Sequence, residues 1–204
     1  PCYARLAWEA RPASFFPIAK GPLPVEHWTR LGRPVTAFEG RGVLLSWSGS
    51  MFEYLMPPLV MQERVGGILN QSNAMAVAVQ IQHGNRLGIP WGVSESAFNA
   101  RDREMNYQYY AFGVPELGLK RTVGQDVVVA PYATLLASQI RPHAAVANLR
   151  RLEKMGAFGP QGAYDAVDFT PSRLQEGAKY AVVRNYMAHH HGMSIVAIGN
   201  SILD

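Results

Sequence analysis

Proline and glycine punctuate this chain so often that few stretches can run as uninterrupted helix. Its 204 residues include 14 prolines and 19 glycines. A proline inside a helix costs about 3 kcal/mol or more, because it removes a backbone donor and its ring meets the preceding turn. Pro12 and Pro17 therefore break or shorten a helical pattern over residues 3–20. Residues 21–34 read as loop with one turn at 26–28, and 43–47 as a short apolar run, strand or loop. Ser50 is placed to cap a short helix that stops before Pro57 and Pro58. Residues 67–86 make a better helix, with Ile68, Leu69, Met75 and Val79 near one face. Pro142 opens and Gly156 closes another, lined by Val146, Leu149 and Leu152. Residues 94–103 read as a short helix capped by Ser94, 107–110 as extended or loop, 163–169 as a strand within loop, and 178–203 as helix. The run 127–139 is apolar, with Pro131 in a first helical turn, where proline is tolerated. The expectation is an all-α scaffold joined by long loops rich in glycine and aromatics, and such loops in a compact domain are usually functional.

Composition excludes several classes. At 48% hydrophobic and 17% charged residues, the chain can bury a real core as one domain and does not read as disordered. Its net charge of +4 is mild and scattered. Arg150, Arg151 and Lys154 read as a solvated helix face, so the clustered footprint of a nucleic-acid binder is missing. One cysteine, Cys2, allows no intrachain disulfide. No apolar run approaches the roughly 20 residues that span a bilayer, and no signal peptide is visible. The chain opens at Pro1 in mid-pattern, with Tyr3, Leu6 and Ala7 already spaced like a helix. Residues 1–204 are therefore expected to be a single partial domain of something longer.

Cofactor and metal motifs are absent too. Gly92-Val93-Ser94-Glu95-Ser96 lacks the last glycine of a nucleophile elbow, and no phosphate-binding glycine loop occurs. His189, His190 and His191 are consecutive, and neighbouring helical residues point about 100° apart. They suit buried support of a pocket better than a metal, and no cofactor is expected. What remains is carboxylates beside aromatics: Glu9 after Trp8, Glu53 in the stretch after Trp47, and Glu95 after Trp91, followed by Tyr107 and Tyr109. Sugar rings stack on aromatic faces, and glycoside cleavage needs two carboxyl groups in different roles.

Five stretches carry more than composition does: "LLSWSGSMFEYLMP" (44–57), "PWGVSESAFNARD" (90–102), "YQYYAFGVPELGLKR" (107–121), "VVVAPYATLLA" (127–137) and "YMAHHHGMSIVAI" (186–198). In this order they closely resemble the glycoamylase-like region of cyclic β-1,2-glucan synthases, and the resemblance runs over essentially all 204 residues. It implies the C-terminal part of an (α/α)6 barrel. It implies a larger bacterial inner-membrane protein, with this domain on the cytoplasmic side and not itself inserted in the membrane. The partners it implies are a β-1,2-glucan oligosaccharide and the remainder of the synthase chain. The implied reaction is a retaining transglycosylation that closes linear β-1,2-glucan into a ring. A β-1,2-glucan hydrolase and an inactive carbohydrate-binding remnant stay open as alternatives.

The resemblance implies roles residue by residue. Glu95 matches the Glu of the family's Trp-Gly-(Ile/Val)-Ser-Glu-Ser motif and is the expected nucleophile. Glu9 matches the Glu of a Ser-Glu-Ala-Arg stretch and is the expected acid/base. Glu53 is a reserve acid or a ligand to sugar hydroxyls, or else a buried acid bonding loop amides. Trp47, Trp91, Tyr107 and Tyr109 are candidates to stack on glucose, or else core aromatics. His189 and His190 match an Ala-His-His pair under the pocket, and Asp168 matches a family acid. The chain departs from the pattern at Ala4, Trp8, Pro12, Asp165 and His191. Trp8 and Pro12 flank the expected acid/base and are placed to bend its segment.

Overall fold

The computed structural model describes residues 5–120 and 124–203. Helix and strand alternate along it: α1 (Pro12–Lys20), α2 (Glu26–Arg30), β1 (Val35–Phe38), β2 (Arg41–Leu44), α3 (Met51–Leu55), α4 (Ile68–Leu87), β3 (Ser96–Arg101), β4 (Tyr107–Tyr110), β5 (Val128–Val129), α5 (Pro131–Leu136), α6 (Pro142–Lys154), β6 (Phe158–Gly159), β7 (Gly162–Ala163), β8 (Ala166–Asp168), β9 (Ala181–Val183) and α7 (Ala188–Leu203). The strands form the antiparallel pairs β1–β2, β3–β4 and β6–β7, and the antiparallel sheet β5–β8–β9. The expected all-α class, and with it the helical-barrel assignment, is therefore corrected to a mixed helix-and-sheet architecture. Cys2 and Tyr3, at the start of the N-terminal helical pattern, lie outside the described residues.

Two segments overturn a helical expectation directly. Over 94–103 a helix was expected, yet Ser94 does not cap one. Its hydroxyl accepts from the Phe52 N–H at 3.0 Å and bonds the Tyr132 hydroxyl at 2.8 Å. The backbone amides beyond it are claimed by distant carboxylates, Ala97 N–H by Asp165 at 2.7 Å and Asn99 N–H by Asp168 at 3.0 Å. With those donors spent on tertiary partners and Tyr107, Tyr109 and Tyr110 opposite, the stretch pairs as a strand. Over 178–203, β-branched Val182 and Val183 pair with β8 before the helix begins at Ala188.

Elsewhere local chemistry predicts local structure. Pro12 occupies the first position of α1, where its missing N–H is no loss, so it starts the helix and does not bend it. Ser50 caps α3 in a reciprocal box with Glu53. Gly67 and Gly88 bound α4, Gly88 in the left-handed conformation. The core gathers Val43, Leu44, Met51, Leu55, Val77 and Leu136, all essentially inaccessible. Two glycines allow close approach of segments near the site. A Cβ on Gly113 would collide with the Ser48 carbonyl, and one on Gly84 would lie 2.9 Å from Trp91 Cβ.

Candidate active site

Glu95 closes the loop before β3, and three elements meet it. From β4, Tyr109 pairs with Ala97 in register, two residues beyond Glu95 and so on the same face of the pleat. The Tyr109 hydroxyl donates to Glu95 Oε1 at 2.9 Å. From the first turn of α5, the Tyr132 hydroxyl donates to the Glu95 carbonyl at 2.9 Å. From the first turn of α7, His190 Nε2 lies 3.2 Å from the Tyr109 hydroxyl, and its Nδ1 lies 2.6 Å from Asp165 Oδ1. The His190 ring stacks on Tyr132 with centroids 3.7 Å apart. Burial pushes the Glu95 carboxyl above its ordinary range, against the Tyr109 hydrogen bond and the His190 charge, and the charge of Glu53 adds to the rise.

Glu9 sits on the turn ahead of α1. Its segment is anchored by Arg11, which is 1% exposed, donates to the Leu6 carbonyl at 3.2 Å and pairs with Glu63. Burial pushes the Glu9 carboxyl up to about 7, opposed by a hydrogen bond from its own backbone and reinforced by the charges of Glu53 and Glu95. Its Oε2 is buried with no hydrogen-bond partner among the described residues. Two acids far apart in sequence thus share one electrostatic environment. Glu9 ionises against Glu95, while Glu95 is supported by a phenol and an imidazole. Burial raises both carboxyls, and at Glu95 the Tyr109 hydrogen bond and the His190 charge oppose the rise.

A sequence model of the family described as Putative glucoamylase matches residues 9–203. The chain belongs to this family. Among similar proteins, the cyclic beta-(1,2)-glucan synthase NdvB of Rhizobium meliloti (strain 1021) is 64% identical over 203 residues, covering 100% of this chain and 7% of the synthase. The chain thus spans a small fraction of that relative's length. Among solved structures, a putative glucoamylase from Bacteroides caccae aligns with a TM-score of 0.57 at 21% identity, covering 83% of this chain and 41% of that one. An endo-beta-1,2-glucanase from Chitinophaga pinensis, in complex with sophorotriose and glucose, aligns with a TM-score of 0.58 at 16% identity, covering 83% and 41%. These likenesses show the glucoamylase-family fold.

The other sequence candidates divide by accessibility. Trp47 is 37% exposed, with the Arg5 guanidinium 5.0 Å from its ring. Tyr107 carries Arg101 over its face at 4.4 Å and accepts from it at 2.8 Å. His189 has its ring 4.0 Å from that of His190, and burial with the His190 charge lowers its proton affinity. Trp91 is 4% exposed and clasped by Asn148, so it is a core aromatic without a free face for sugar. Asp168 is fully buried and spent on Arg173, Asn99 and Thr170. Sequence reasoning missed Tyr132. Its signal was a tyrosine next to a helix-starting proline in an otherwise apolar run, where a buried hydroxyl must find a partner.

Glu53 is a loop staple. Its carboxylate accepts from the Ser46 and Ser48 hydroxyls at 2.8 and 2.7 Å and from the Trp47, Ser48 and Ser50 amides. Glu53→Gln would set an amide NH2 against those donors, and is expected to lower stability by about 3 kcal/mol or more. Chemical denaturation of the variant checks this; an unchanged midpoint and slope would remove the staple role.

Proposed function

We propose that this chain is the transglycosylating part of a larger synthase and closes linear β-1,2-glucan into rings with retention at the anomeric carbon. The observation that carries the reading is the convergence of Glu9, a carboxyl pushed up to about 7 with one buried oxygen unpartnered among the described residues, with Glu95, a carboxylate held by Tyr109. Glu95 attacks the anomeric carbon while Glu9 donates its proton to the leaving oxygen, giving a glycosyl-enzyme. Esterification cancels the Glu95 charge, one of those that raised the Glu9 carboxyl. Glu9 therefore remains a carboxylate and takes the proton from the chain's own 2-hydroxyl as that oxygen attacks. The β linkage is restored, and the ring closes. Trp47 and Tyr109 offer exposed aromatic surface for glucose, with Tyr107 under Arg101 at its edge. The 64% identity to a cyclic beta-(1,2)-glucan synthase over this stretch supports the substrate.

Among the described residues no helix is long and apolar enough to cross a membrane. In this reading attachment to the bacterial inner membrane belongs to the rest of the protein, with this part on the cytoplasmic side. The test is to incubate the longer protein carrying this chain with linear β-1,2-glucan and resolve products by mass. Rings, each lighter than its linear counterpart by one water, are expected. Shorter linear chains alone would make it a hydrolase, and glucan binding without turnover would make it an inactive binding module.

A further inference from the structure

We propose that Asp165, His190 and Tyr109 form a positioning relay for Glu95, which draws the proton off its carboxyl group and fixes which oxygen faces the sugar. The proposal rests on the reading of Glu95 as the nucleophile.

The argument is one of donor capacity. Tyr109 has a single hydroxyl proton and two neighbours within reach, Glu95 Oε1 at 2.9 Å and His190 Nε2 at 3.2 Å. If the phenol donates to Glu95, its oxygen accepts from Nε2–H. Nδ1, at 2.6 Å from Asp165, donates there as well. A ring that donates from both nitrogens is an imidazolium. In the alternative, a protonated Glu95 donates to the phenol oxygen, and the phenol donates to Nε2 of a neutral ring. Both arrangements hold the same protons. They differ by two shifts: the Glu95 O–H breaks as its proton joins the phenol oxygen, and the phenol O–H breaks as its proton joins Nε2.

Asp165 decides between them. It is 4% exposed, and its other oxygen is held by the Ala97 amide at 2.7 Å. The 2.6 Å contact from Nδ1 to this buried carboxylate suits the arrangement in which the ring donates from both nitrogens. So does the stacked face of Tyr132 at 3.7 Å. The ring of His189 opposes it from 4.0 Å, and Glu9 and Glu53 are the remaining charged groups acting around Glu95. The outcome is an anionic Glu95 with Oε1 committed to Tyr109 and Oε2 left for the anomeric carbon. Because Asp165 is tied to Ala97, the relay is anchored to the strand that follows Glu95.

The test is a carboxyl-carbon NMR titration of the chain labelled at glutamate, with the Glu95 signal assigned by its loss in Glu95→Gln. Asp165→Asn keeps the shape, removes the counter-charge and should raise the Glu95 midpoint by about one pH unit, tenfold in proton affinity. In Tyr109→Phe the same second substitution should then add little, since the wire is cut. On the longer protein, the acid limb of kcat/KM should move with the midpoint. A folded Asp165→Asn chain with an unmoved Glu95 midpoint overturns the relay. If Asp165→Asn does not fold, an unmoved midpoint in Tyr109→Phe overturns it equally. If the midpoint moves as expected but wild type leaves β-1,2-glucan untouched, the relay stands and the glucan reading falls.

Discussion

Glu95→Gln is expected to lower ring formation from linear β-1,2-glucan by about 10⁴-fold or more, because a carboxamide cannot supply the attacking oxygen of a covalent mechanism. The shape is conserved, and the amide oxygen can still accept from the Tyr109 hydroxyl that now bonds Oε1 at 2.9 Å. Glucan binding should therefore survive, and a titration by calorimetry separates lost chemistry from lost binding. Azide sharpens the result. If Glu95 is the nucleophile, the small anion can enter the space that Glu95→Ala opens and attack from the same face, giving an α-glycosyl azide in place of a β product. Ring formation within tenfold of wild type would show that another group attacks. Glu53 is poorly suited to replace it, since its oxygens are already occupied by serine hydroxyls and loop amides.

Glu95 stood out in the sequence because it lies in one of the long matching stretches, whereas Glu9 rested on a short one that departs from the pattern at Trp8. Their convergence was not legible there, because it depends on contacts that span the chain. The segment 94–103 shows the limit clearly. Ser94 followed by an acid has the look of a helix start, and nothing local reveals that Asp165 and Asp168 will take the amides of Ala97 and Asn99. Those carboxylates lie some seventy residues away and turn the stretch into a strand. The same contacts placed Tyr109 opposite Ala97, within reach of Glu95. Trp91 failed as a sugar platform for a similar reason. The absence of a Cβ at Gly84 lets the helix α4 close over it, and a residue's neighbour in space is not written in its neighbours in sequence. Caps and breakers fared better. Ser50, Pro131 and Pro142 act through one or two turns of their own backbone, and each did what its chemistry predicts.

Glu9→Gln tests the other half of the pair and yields a pH signature as well as a rate. Loss of the general acid should cost about 10²- to 10⁴-fold on β-1,2-glucan, whose leaving sugar oxygen needs a proton. The loss should shrink sharply on an oligosaccharide donor with a fluoride or nitrophenol leaving group, which departs unaided. In wild type the kcat/KM of the glycosylation step should fall as pH rises through about 7, where Glu9 loses its proton, and this limb should vanish in the variant. Stability carries the same information with a definite sign. A carboxyl raised from its ordinary 4.5 to about 7 binds a proton in the folded state that the unfolded chain has released across that window. Stability therefore declines as pH climbs from 4.5 to 7, by at most about 3 kcal/mol for this one group. Glu9→Gln, neutral throughout, should lose that slope and gain stability at pH 8. A variant as pH-sensitive as wild type in both rate and melting temperature would mean that Glu9 is not the group that titrates near 7. A gain in stability with a loss in turnover would show the fold holding an acid in its protonated form at a cost to itself, which is what a proton donor at neutral pH demands.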